Sequence, residues 1–181
     1  FQVVVINKNI EVVPGIEFPA WTYNGRIPGP TLRAKEGDRV RIHFQNGSNH
    51  PHSMHFHGFH PGEMDGVPGS GPGGMVEPGG EFTYEFDAVP AGRDSAGGTF
   101  LYHSHVDEDR QFGLGLSGAF VIEPKQSQGY DVEKTIVIQE WNLNAQTGAT
   151  RPARSAKLSP RGGRSSAGAN QKACVPTLRS A

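Results

Sequence analysis

Cysteine occurs once in the 181 residues, as Cys174, so no disulfide can form within the chain and the thiol says little about redox compartment. Long apolar runs are missing. No stretch of about eighteen apolar residues could cross a bilayer as a helix. An excess of charge of either sign is missing too. Seventeen Lys and Arg against eighteen Asp and Glu leave a formal charge of −1, which argues against nucleic-acid binding by the whole protein and gives no electrostatic clue to a substrate. No convincing amphipathic helix can be read anywhere. The first residue is Phe1 rather than Met, so the numbering is expected to begin inside a longer product, from which a signal peptide has been removed or of which this is a fragment.

What is present points to β structure. Twenty-five glycines and fourteen prolines favour short strands and many turns over helices. The length suits one domain, or one domain and a tail, and a mean hydropathy of −0.49 reads as a soluble protein. Residues 1 to 6 and 10 to 13 are β-branched runs broken by Asn7-Lys8-Asn9, which predicts a strand, a turn and a strand. Ile27-Pro28-Gly29-Pro30 excludes helix and central strand, because proline lacks the donor and fixes φ. From Arg39 to Asn46 the alternation is strict: Val40, Ile42 and Phe44 on one face, Arg39, Arg41, His43 and Gln45 on the other. Residues 53 to 60 read as extended. Residues 61 to 80 hold eight glycines and four prolines and read as a long surface loop. Further strands are predicted at 81–86, 99–105, 118–122 and 134–141. Short strands at this frequency imply an all-β fold, an antiparallel sandwich or barrel.

Composition shifts near residue 148. Residues 149–181 carry seven Lys or Arg and no Asp or Glu, and apolar periodicity is lost. Such a segment cannot bury enough apolar area to offset its ordering entropy. It reads either as a disordered, solvated basic tail after a folded unit of residues 1–148, or as a non-native continuation after a lost reading frame.

Histidine carries the chemistry. Five of the eight lie between residues 50 and 60. In Ser53-Met54-His55-Phe56-His57-Gly58, positions two apart in a strand share a face about 6.5 to 7 Å apart, so His55 and His57 project together and Phe56 turns away. Leu101-Tyr102-His103-Ser104-His105 repeats the device with His103 and His105. Two such pairs on neighbouring strands would gather four imidazoles. Imidazole suits copper, zinc, iron and nickel alike, so the donors do not select the metal. Gly58 leaves room where a metal or a second backbone could approach. One H-x-H arises often by chance, whereas two, each flanked by aromatics in strands, point to a metal site.

His55-Phe56-His57-Gly58 and Tyr102-His103-Ser104-His105 resemble the two histidine motifs in the first domain of multicopper oxidases, the laccase and metal-oxidase family. Trp21-Thr22-Tyr23-Asn24-Gly25, Pro28-Gly29-Pro30-Thr31-Leu32, Glu36-Gly37-Asp38-Arg39-Val40, Glu77-Pro78-Gly79-Gly80 and the stretch from Gly113 to Pro124 extend the resemblance over about residues 1 to 145. It implies a cupredoxin-like (plastocyanin-like) Greek-key β-sandwich or barrel. It implies that His55 binds a type 2 copper, His57 and His103 one copper of a type 3 pair, and His105 the other. The cluster would be completed by a second cupredoxin domain or a neighbouring subunit, would take electrons from a type 1 copper, and would reduce O2 to water while a small reducing substrate or metal ion is oxidised. Asp107, Glu108 and Asp109 are candidates for second ligand-sphere contacts or proton delivery, with a solvated loop as the plainer reading. A secreted or periplasmic location goes with the resemblance.

The chain departs from the pattern in having no His-Cys-His segment, and Cys174 has no histidine near it. Alone it is not expected to be a competent oxidase. Its alternatives are a non-catalytic copper-binding or storage module and an inactive truncated product. Copper nitrite reductases are disfavoured, because their first domain carries a type 1 cysteine. His50, His52 and His60 with Met54, Met64 and Met75 could form a secondary copper-loading patch. His43, on a wet strand face, reads as unremarkable.

Overall fold

Short alternating runs of β-branched and aromatic residues fit a pleated, half-buried surface. The computed structural model, which describes residues 1–58, 62–89, 97–126, 131–141 and 177–180, turns those runs into strands. In chain order they are β1 (Gln2–Val13), β2 (Ile16–Tyr23), β3 (Leu32–Lys35), β4 (Arg39–Asn46), β5 (His55–Phe56), β6 (Glu81–Asp87) and β7 (Gly98–His103). A single α-helix among the described residues, α1 (Glu108–Gly113), precedes β8 (Ser117–Glu123), β9 (Val132–Thr135) and β10 (Thr177–Ser180).

Two four-stranded sheets form, in the orders β2-β1-β4-β6 and β3-β8-β7-β5, while β9 and β10 pair separately. The faces predicted for β4 hold: Val40, Ile42 and Phe44 are buried, and Phe44 meets Tyr84 of β6 with ring centroids 6.0 Å apart. β8 is buried from Ser117 to Ile122, as its apolar run implies for a central strand. Phe56, Tyr84, Phe86, Tyr102 and Phe120 fill the space between the sheets.

Four local expectations change. β1 runs unbroken through Asn7-Lys8-Asn9, and the reversal comes instead at Pro14-Gly15, where Gly15 takes φ +79°. β1–β4 and β3–β8 are parallel pairs within an otherwise antiparallel pattern. Parallel neighbours need a crossover, and the chain supplies it by switching sheets between β2, β3 and β4. The helix α1 is real but has six residues, too few for a 3.6 period to show. The last predicted strand, 134–141, is not formed beyond Thr135: β9 lies earlier, at Val132–Thr135, and Trp141 packs edge-on against Phe18 at 4.6 Å. Residues 142–176, with Cys174 and most of the basic tail, lie outside the described residues; Thr177–Ser180 of that tail is extended beside β9.

Candidate metal centre

β5 pairs antiparallel with β7 so that His55 lies opposite His103 and Phe56 opposite Tyr102. The His57 N–H donates to the Leu101 carbonyl at 2.8 Å, which carries the pairing beyond Phe56. The pleat then does what the spacing predicts. Phe56 is fully buried, its ring 4.8 Å from Phe86 and 5.7 Å from Tyr84, while the flanking imidazoles stand on the other face. Gly58 closes the turn at φ +81°, where a Cβ would overlap the Phe100 ring.

All four imidazoles converge. His55 is central, with ring centroids 5.2 Å from His57, 5.3 Å from His103 and 5.0 Å from His105. His57 and His103 bring their Nε2 atoms to 2.8 Å. One ligand nitrogen from each of His55, His57 and His103 fits within a mutual 4.8 Å. His105 flanks this group, its ring stacked at 6.0 Å from that of His103.

The surroundings orient two of these rings in a way that suits metal ligation. His55 Nδ1 donates to the Asp65 carbonyl at 2.8 Å, with the Asp65 carboxylate at 3.3 Å. His103 Nδ1 donates to the Ser104 carbonyl at 2.8 Å. A carbonyl oxygen can only accept, so each ring proton is held on Nδ1 and the lone pair is presented at Nε2. Burial pushes the His103 pKa down to about 3; the Ser104 carbonyl opposes that, and the neighbouring His57, His55 and His105 add to it. The ring is therefore neutral at ordinary pH, as ligation requires. Two nitrogens 2.8 Å apart can both reach one ion at metal–nitrogen distances of about 2.0–2.1 Å. The donor set fits a borderline metal such as copper.

Two acidic residues join the site. Asp65 reaches His55 from the glycine-rich loop because Gly66, at φ +70°, lies against the Met54 carbonyl where a Cβ would overlap it. Glu108, the first residue of α1, sets its carboxylate oxygens 3.7 Å from His103 Nε2 and 3.6 Å from His105 Nε2. Asp107 instead turns toward Arg110, at 3.9 Å, and Asp109 is exposed on the helix. Glu108 thus faces the Nε2 atoms of His103 and His105; the i,i+3 step from His105 was the available signal. Asp65 had no periodic signal at all.

The remaining histidines do other things. His52 is fully buried, with Nε2 at 2.6 Å from Ser48 Oγ and Nδ1 at 2.7 Å from Gln111 Oε1. The His50 ring lies 4.6 Å from that of Trp21. Met54 is buried in the core and Met75 is half-exposed; His60 of the expected secondary patch lies outside the described residues. His43 stays on the outer face, 3.5 Å from the Glu81 carboxylate.

Residues 5–127 match a family model described as multicopper oxidase. The chain belongs to the multicopper oxidase family. Relatives of this multicopper oxidase domain include Copper resistance protein A of Pseudomonas syringae pv. tomato, 38% identical over 132 residues, 71% of this chain and 20% of that protein. An iron transport multicopper oxidase of Saccharomyces cerevisiae is 37% identical over 140 residues, 74% of this chain and 20% of that protein. Among solved structures, a multicopper oxidase crystal structure is 50% identical with a TM-score of 0.66, covering 72% of this chain and 44% of its own. The multicopper oxidase mgLAC is 28% identical with a TM-score of 0.74, covering 86% and 50%. The chain spans about a fifth of the length of the curated relatives it matches. Its fold is cupredoxin-like. Multicopper oxidases bind copper, and this domain's histidine cluster is a donor set able to hold it. No helix among the described residues is long and apolar enough to cross a membrane.

Proposed function

We propose that this chain is the first cupredoxin domain of a multicopper oxidase and supplies half the ligands of a trinuclear copper cluster. In this reading His55 serves the type 2 copper, His57 and His103 one copper of the type 3 pair, and His105 the other. The observation that carries it is the 2.8 Å approach of His57 Nε2 to His103 Nε2, which suits two ligands of one ion, with His55 and His105 beside them. When bound, the coppers would pass electrons from a reducing substrate to dioxygen, which leaves as water.

The chain's own part is to hold and orient. Strand-borne ligands fix the metal separation without reorganisation. The Asp65 and Ser104 carbonyls fix two of the rings. Glu108 places negative charge against the ligand nitrogens and is the acidic group placed to carry protons to the centre. The 181 residues contain no His-Cys-His segment, so the type 1 copper and the other half of the cluster belong to a further domain or another chain. Phenols, aromatic amines, ferrous iron and cuprous copper are all admissible reductants. A location outside the cytoplasm belongs to the same reading, as does a folded unit ending near residue 148.

Copper titration of the full chain tests this. The wild type should bind copper without the intense blue absorption of a type 1 site, and His55→Ala/His57→Ala should lose most stoichiometric binding. Unchanged binding by that double variant overturns the ligand assignment. Oxygen uptake should appear only when a domain containing His-Cys-His is supplied. The missing segment also favours a second reading, a copper-storage module, under which oxygen uptake never appears.

A further inference from the structure

We propose that Ser53 and Ser104 form a reciprocal clasp that sets His105 against His55 and His103, which makes both serines positioning residues of the copper centre. The inference rests on the ligand reading above.

In the β5–β7 ladder, His55 faces His103, so continuing the register outward sets Met54 against Ser104 and then Ser53 against His105. The backbone ladder does not continue there. The Ser53 N–H donates to Ser104 Oγ at 3.1 Å, and the His105 N–H donates to Ser53 Oγ at 3.1 Å. Each histidine motif therefore contributes one hydroxyl and one amide to the other. A side chain stands where a carbonyl would ordinarily reach, so the two backbones separate while remaining fixed to each other. That separation accompanies the placing of the His105 ring beside His55 rather than further along the strand.

The carbonyls of the same serines are used as well. Ser53 accepts from the Tyr23 hydroxyl at 2.8 Å, and Ser104 accepts from His103 Nδ1 at 2.8 Å. The Ser104 amide donates to the Leu116 carbonyl at 3.3 Å. The pair thus holds the His105 backbone through the Ser53 hydroxyl and the His103 tautomer through the Ser104 carbonyl. Both serines are 0% exposed. Buried hydroxyls are unfavourable unless bonded, and alanine would satisfy the packing at either position but not the facing amide.

The test compares full-length Ser53→Ala and Ser104→Ala with Thr22→Val. Thr22 is equally buried and bonds the Ile6 carbonyl at 2.9 Å, but it touches no ligand. The serine variants should bind copper about 10- to 100-fold more weakly and show an altered hyperfine pattern of the bound cupric ion. Thr22→Val should lose stability and keep wild-type affinity. Ser104→Thr, which retains the hydroxyl, should restore binding if the alanine variant does not fold. In metal-free protein, the His105 amide should exchange faster in Ser53→Ala, and the Ser53 amide faster in Ser104→Ala. Unchanged affinity and spectrum in both serine variants overturn the clasp, as does unchanged amide exchange. Should the wild type bind no copper, the ligand reading falls, and amide exchange still decides the clasp.

Discussion

Replacing His52 by Gln removes a titratable group from a buried network that ties the β4–β5 connection to helix α1. Ser48 and Gln111 engage its two ring nitrogens, and the Gln111 amide also donates to the Pro51 carbonyl at 3.0 Å. Burial holds the His52 pKa down to about 4, against the upward pull of Gln111 and with a further downward push from His50. In the unfolded chain an imidazole titrates near 6.5. Above that pH the ring is neutral in both states, and its contribution to stability is fully present. Between about 6.5 and 4, the unfolded chain binds a proton that the native ring refuses, so stability falls as the pH falls. Below about 4 both states are protonated, and nothing more is lost through this residue. At 1.36 kcal/mol per pKa unit, the whole limb amounts to about 3 kcal/mol.

Urea unfolding of the metal-free full chain, between about pH 7.5 and 4.5, reads this directly. Tryptophan fluorescence is a suitable probe because the Trp21 ring lies 5.1 Å from that of His52. The wild type should lose stability on the acid side. His103, held down to about 3 by burial, drives the same loss and remains in the variant. His52→Gln should be less stable at neutral pH, since the carboxamide replaces the ring imperfectly, yet its acid limb should be shallower. The gap between the two proteins should narrow by about 2 kcal/mol toward pH 4.5. Parallel limbs would refute the argument that burial of His52 makes the fold acid-sensitive.

Gly58→Ala should cost about 2–4 kcal/mol in urea unfolding, from the left-handed backbone and the overlap with Phe100 together; a loss under about 1 kcal/mol would show that the turn accommodates a side chain. Glu108→Gln should leave stability within about 0.5 kcal/mol, because the side chain is half-exposed, while weakening copper binding about tenfold through loss of the charge facing His103 and His105. Unchanged affinity in a copper titration would remove Glu108 from the centre.

The parts of this molecule legible in its sequence are those governed by a period of two. Val40, Ile42 and Phe44 declare a buried face, and His55 and His57 declare a shared one, because alternation is local and survives whatever the strand later pairs with. Features set by contacts distant in sequence were not legible. Asp65 sits among glycines and prolines, ten residues from the ring it holds, with no period to mark it. Helix α1 spans six residues, so the i,i+3 step to Glu108 had no helical pattern around it. Ser53 and Ser104 carry no signal of their own beyond their place in the two histidine motifs, and their complete burial follows only from the facing motif. The parallel β1–β4 and β3–β8 pairs were hidden for the same reason, since a strand's sequence encodes its faces and not its neighbours.

Register joins the legible part to the rest. His55 opposite His103 and Phe56 opposite Tyr102 are one register seen from two sides of the same ladder. Slipping β5 by a single residue would turn Phe56 out toward the ligand face and drive an imidazole into the space between Tyr84, Phe86 and Phe120. The Tyr84 hydroxyl there is already engaged by the Met54 amide at 2.9 Å and the Gly73 carbonyl at 2.6 Å, and an unbonded polar group in that space would be unfavourable by about 1–3 kcal/mol, beyond the loss of the buried Phe56 ring. The aromatic core therefore selects the alignment in which the imidazoles meet, and the geometry of the histidine face follows from the packing of residues on the opposite face of the ladder.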